Sequence, residues 1–93
     1  MFRTEKQTEE DLQQETRLIP MPDGSMRPVR MFTCQWKKLP CALWLFDDNL
    51  EELVDQTLEH QRDNPGRDFT KCFSDVLHYW NLEYRKMRLS ISD

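Results

Sequence analysis

Between residues 69 and 87 the apolar side chains fall at Phe69, Cys72, Phe73, Val76, Leu77, Trp80, Tyr84 and Met87. The steps are threes, ones and a four, which is the rhythm of an α-helix with all eight groups on one stripe. No other feature constrains the fold as strongly, because a helix with one apolar face must lay that face on another element. Asp68 stands just ahead, where its carboxylate can cap the first turn, so the pattern predicts a helix over about 68–88. Arg85, Lys86 and Arg88 then fall in its last turns, where cations suit the helix dipole.

The partners for that face come from earlier in the chain. Leu39, Leu43, Phe46, Leu50, Leu53 and Thr57 are spaced by alternating fours and threes, with Pro40 in a first turn where its missing N–H costs nothing. The spacing predicts one helix over about 40–62, ended by Asp63-Asn64-Pro65-Gly66. A competing reading makes 41–46 a buried strand, followed by a helix capped by Asp48 with Glu51 three residues on. Upstream, Pro22-Asp23-Gly24 is a turn signal between Leu18-Ile19 and Val29, Met31 and Phe32, which predicts a β-hairpin with its tip near Asp23-Gly24. Pro20 and Pro28 offer no ladder donor, so its strands are short or at an edge. Across Met31–Lys37 the residues alternate. Phe32, Cys34 and Trp36 would face the core, and Thr33, Gln35 and Lys37 would face water. Residues 3–16 contain a single apolar side chain, Leu12, and cannot offset their own ordering entropy. The expected organisation is a flexible acidic tail over 1–16 and one α+β domain over 17–93. That domain would be a short hairpin or ribbon followed by two antiparallel α-helices.

A chain of 93 residues supports one modest core and little internal cavity. The longest apolar run, Cys41 to Phe46, is far short of the roughly 20 residues that cross a bilayer. Three cysteines are an odd number, and Met1-Phe2-Arg3-Thr4-Glu5-Lys6 has no apolar leader core. A cytoplasmic protein with free thiols is therefore expected. The net charge of −4 is unevenly spread. Residues 24–46 carry Arg27, Arg30, Lys37 and Lys38 with no acid, whereas 47–65 carry seven acids against Arg62 alone. The overall sign opposes sequence-independent coating of nucleic acid, and complementary patches of this kind steer protein association.

Chemistry is hard to assemble from these residues. Cys34, Cys41, Cys72, His60 and His78 include no Cys-x-x-Cys or His-x-x-x-His pair, the close spacing that structural zinc sites use. Cys72 lies in the apolar stripe, where a thiol keeps its proton, and His78 projects away from it, so the two form no dyad. Gly24 and Gly66 both sit in turns, which leaves no glycine-rich phosphate loop. No catalytic group, metal or cofactor is expected. Asp48, Glu51, Glu52, Asp55 and Glu59 cluster at the start of a predicted helix, and such a solvated acidic face can dock a basic partner.

The basic ribbon has a second meaning. A strand carrying Thr33, Gln35 and Lys37 on its wet face, with Arg27 and Arg30 before it and Lys38 after it, leads into Leu39-Pro40 and two helices separated by a Gly-containing turn. Over about residues 32–80 this order resembles the ribbon-helix-helix family of DNA-binding repressors. The resemblance implies that a strand from each of two subunits pairs and enters the major groove. Thr33, Gln35 and Lys37 would then read base edges, while Arg27, Arg30 and Lys38 met phosphates. The family's first helix is much shorter than the stretch 40–62. Together with the net acidity, that ranks two expectations. The first is a small non-catalytic regulatory or adaptor protein that docks onto a protein partner or assembly. The second is a dimeric DNA-binding regulator of the ribbon-helix-helix kind.

Overall fold

A computed structural model describes residues 13–92. Two antiparallel strands, β1 (Gln14–Pro20) and β2 (Met26–Phe32), form the hairpin, with Gln14 opposite Phe32, Leu18 opposite Pro28 and Pro20 opposite Met26. The Pro-Asp-Gly turn closes it as the sequence predicts. Gly24 takes φ 90°, a conformation open to a residue without Cβ. The Asp23 carboxylate accepts from the backbone N–H and the hydroxyl of Ser25 at 2.9 and 2.6 Å, and these bonds hold its pKa below the ordinary value.

The boundary expected at residue 16 falls inside β1. Gln14, Glu15 and Thr16 pair with Phe32, Met31 and Arg30, so the domain begins earlier than 17. These residues are polar because β1 is an edge strand that keeps much of its surface in water. The rest of the expected tail, residues 1–12, lies outside the described residues.

The second departure comes at Phe32. In place of a strand through Lys37, the chain makes a single helical turn, α1 (Thr33–Trp36). Three contacts enforce the bend. The Gln35 side-chain oxygen accepts from the Phe32 N–H at 3.0 Å. The N–H and hydroxyl of Thr33 both donate to the Gln13 carbonyl, at 2.8 and 3.0 Å. The Trp36 indole N–H donates to the Glu15 carbonyl at 2.8 Å. Trp36 is thereby drawn over the hairpin and fully buried, whereas Phe32, expected in the core, faces outward.

Three helices follow: α2 (Leu39–Leu45), α3 (Leu50–Asp63) and α4 (Phe69–Ser92). The single helix expected over 40–62 is thus two. Asp47 and Asp48 adopt φ 53° and 62°, which ends α2, and the Leu43 carbonyl accepts from both the Phe46 and the Asp48 N–H groups, at 2.9 and 2.8 Å. Aspartate is among the few residues with a side chain that enter the left-handed region readily. Residues 41–45 are helical, so the competing strand over 41–46 does not form, and Asn49 rather than Asp48 precedes the first turn of α3. The Asp68 carboxylate accepts from the Lys71 N–H at 2.9 Å and caps α4, as its position in the sequence suggests.

The helices α3 and α4 run antiparallel, since Gln56 bonds Trp80 while His60 bonds Asp75. The core lies where one face of the hairpin meets α1 and the stripe of α4. Ile19, Val29 and Met31 from the strands join Trp36, Leu39, Ala42, Leu53, Val54, Phe69, Phe73, Val76 and Leu77. The Phe73 ring sits 6.2 Å from Trp36 and 6.0 Å from Phe69 between centroids, within the range of favourable aromatic pairing. Among the described residues no helix is long and apolar enough to cross a membrane.

Candidate docking surfaces

A strand presents alternate residues to opposite faces, so the pairing register sorts the hairpin into two sets. Glu15, Arg17 and Ile19 with Arg27, Val29 and Met31 point towards the helices. Over this face the Arg17 guanidinium lies 4.7 Å from the Trp36 ring, and that of Arg27 lies 4.9 Å from Phe69. Gln14, Thr16, Leu18 and Pro20 with Met26, Pro28, Arg30 and Phe32 make the other face. None of the described residues covers it. Leu18 is 59 % exposed, Met26 52 % and Phe32 36 %. Five of these eight side chains are apolar, and Arg30 is the only charge among them.

Of the six residues expected to form a basic ribbon, only Arg30 stands on that open sheet face. Arg27 is on the opposite face against Phe69, and Thr33 is tied to the Gln13 carbonyl. Gln35 is half-buried, accepting from the Phe32 N–H and donating its amide to the Ser74 hydroxyl at 2.8 Å. Lys37 is exposed just beyond α1, and the Lys38 ammonium lies 3.3 Å from Nδ1 of His78. Thr33, Gln35 and Lys37 therefore do not share the wet face of a strand, because helical turns, unlike strands, separate residues two apart.

The acidic residues fare differently. Glu51, Glu52, Asp55 and Glu59 are all exposed on the arc of α3 opposite its buried Leu53, Val54 and Thr57. Asp48 is also exposed, in the joint before the helix. Glu52 and Glu59 face an open groove of about 820 Å³ between α3 and α4, with Tyr79 and Trp80 on its other wall. Glu51 and Asp55 turn towards Pro20 and Pro22 near the hairpin tip. At one end of the larger groove Asp75 accepts from Arg67 at 2.7 and 2.9 Å and lies 3.0 Å from Nε2 of His60. The Arg67 bond, more than His60, holds the Asp75 carboxyl below its ordinary pKa, and Asp75 raises that of Arg67 in return.

The thiols and imidazoles do not converge. Cys72 is fully buried, and burial pushes its pKa up. Cys34 and Cys41 are half-buried free thiols, and His78 is exposed away from Cys72. Among the described residues no three His, Cys, Asp or Glu side chains are placed to hold a metal ion.

Sequence reasoning missed the open sheet face, yet a signal was present. Leu18-Ile19 and Met31-Phe32 are adjacent apolar pairs within strands, so one member of each pair must face away from the core. Comparison with protein-family models, curated proteins and solved structures finds no match for the chain.

Proposed function

We propose that this protein is a non-catalytic adaptor that docks, through the open face of its hairpin, onto a protein presenting an apolar patch rimmed by carboxylates. The observation that carries this reading is the exposure of Leu18, Met26 and Phe32 around Arg30 on one sheet face. Clustered exposed apolar side chains mark association surfaces, and aromatic, Met and Arg groups are the types that interfaces favour. The chemistry of the partner follows from charge. Residues 24–46 contain four cations and no acid, so a second copy laid on the same face would bring Arg30 towards Arg30. A partner with acidic residues around its patch complements both features.

Photo-crosslinking from positions 18, 26 and 32, with position 62 on α3 as control, tests the reading. The expected result is one protein crosslinked from the three hairpin positions and not from the control. Its purified form should bind the wild type and lose about 2 kcal/mol with Phe32→Ala, as a central aromatic contact does. Crosslinks only to a second copy, or equal labelling from the control, overturn it.

A dimeric DNA-binding regulator is the second reading. It is supported by the shortness of α2 and by the helix order α2, turn, α3, which remove the length mismatch with the ribbon-helix-helix repressors. It ranks second because β2 already pairs with β1 of the same chain, and because five of the eight side chains on the open face are apolar, with Gln14, Thr16 and Arg30 as its polar groups. A selection from random duplexes that returned one palindromic site, lost in Arg30→Ala, would promote it.

A further inference from the structure

A depression of about 350 Å³ lies beside the first turns of α4, bounded by β2, α1 and the loop before α4. Three cationic side chains line it, Arg30 from β2, Arg67 from the loop and Lys71 from α4, and no carboxylate does. Gln35, Thr70 and Ser74 supply the remaining polar atoms. The Gln35 amide donates to the Ser74 hydroxyl, which leaves the Ser74 proton without an acceptor among the described residues. The Thr70 hydroxyl and the charged ends of Arg30 and Lys71 likewise have no hydrogen-bonding or ionic partner among the described residues. Arg67 gives Nε and Nη2 to Asp75 and keeps Nη1. The helix end itself is taken, since the Asp68 carboxylate caps Lys71 N–H, so a ligand here would be held by side chains.

We propose that this depression binds a phosphoryl monoester dianion of the kind carried by a phosphoserine side chain. Two uncommitted cations match a charge of about −2, and a guanidinium fork with two hydroxyls and an ammonium offers donors to all three terminal oxygens. The compactness of the positive zone favours a single phosphoryl group over a nucleic-acid backbone. Just outside the lining, Asp75 pairs with Arg67 and Asp68 accepts from the Lys71 N–H, and an extended polyanion would meet these carboxylates. The site shares Arg30 with the open face of the hairpin, but its other residues lie off that face and the proposal does not rest on the adaptor reading.

Amide-shift NMR titrations with inorganic phosphate, phosphoserine, serine and a short duplex DNA, at physiological salt, test the proposal. Saturable shifts at Arg30, Lys71 and Ser74 are expected with phosphate and with phosphoserine, and none with serine. A preference for phosphoserine over phosphate would assign the group to a modified protein, and equal affinity to the free ion. Arg30→Gln with Lys71→Gln should weaken binding at least about tenfold, since each removes a charge-assisted contact, while the melting temperature stays unchanged because both side chains are exposed. Ser74→Ala should weaken it by a smaller factor. Absence of saturation, undiminished affinity in the double variant, or displacement of phosphoserine by tighter-binding DNA overturns the proposal.

Discussion

The two faces of the hairpin are built from similar side chains and have opposite fates. Ile19, Val29 and Met31 on one face are buried under Trp36 and α4, while Leu18, Met26 and Phe32 on the other meet solvent. Apolar character alone therefore does not define the interior of this protein. What decides is the position of Trp36, whose indole N–H is anchored to the Glu15 carbonyl and whose ring reaches Phe73. The covered face contributes to folding. The open face stays in solvent and contributes little.

The sharpest way to break this contrast is to remove its lid. Trp36→Ala should cost about 3–5 kcal/mol in urea unfolding, the usual loss for a buried large aromatic. A cost below about 1 kcal/mol would mean that the ring does not seal the inward face. Trp80, half-buried and bonded to Gln56 at 2.6 Å, should cost less than Trp36 when replaced by Ala. Truncation of residues 1–16 comes next. It removes three of the seven β1 residues together with the Gln13 and Glu15 carbonyls that accept from Thr33 and Trp36. A fall in melting temperature of about 4–8 °C for each kcal/mol lost is expected, and an unchanged value would restore the boundary at residue 16.

Neighbouring residues sharpen the comparison further. Ile19→Ala should cost about 2–5 kcal/mol, and Leu18→Ala, one position away on the open face, no more than about 0.5 kcal/mol. Equal losses would show that the register places both in the core. The same contrast recurs among the thiols. Under native conditions an aromatic disulfide reagent should modify Cys34 and Cys41 well before Cys72, whose thiol is buried and whose pKa is raised. Cys72 labelling as fast as the others would place it at the surface. A small effect also belongs to the partly exposed Asp75. Its folded-state pKa is lowered, so its contribution is fully present above 3.8 and is lost as pH falls through the lower folded value. Asp75→Asn should remove at most about 1 kcal/mol near neutrality and flatten that acid limb of the stability curve. An unaltered acid limb would show that Arg67 and His60 do not stabilise the carboxylate.

How much of this was legible in the sequence depends on which signals were unambiguous. The stripe from Phe69 to Met87 and the Pro22-Asp23-Gly24 turn each permit one structure, and α4 and the hairpin formed where they predict. Phe32, Cys34 and Trp36 permit two, because residues four apart share a helical face as readily as alternate residues share a strand face. The bend was decided by Gln35 and Gln13, through contacts that no periodicity records. The break at Asp47-Asp48 was hidden by an apolar rhythm that continues smoothly across it. The acidic arc was legible because it requires only helical spacing. The phosphoryl depression was not, because Arg30 and Lys71 are brought together by the packing of β2 against α4.

Trp36 also gives the protein an internal optical reporter. Its ring is screened from water, Trp44 is 53 % exposed, and Trp80 lies between the two. A water-borne quencher will therefore extinguish the emission of Trp44 while that of Trp36 persists. Because the Trp36 indole is fastened to the first strand, peeling β1 from the body would wet this fluorophore before the helices separate. In a Trp44→Phe, Trp80→Phe background, the colour of the remaining emission would follow the attachment of the hairpin in real time.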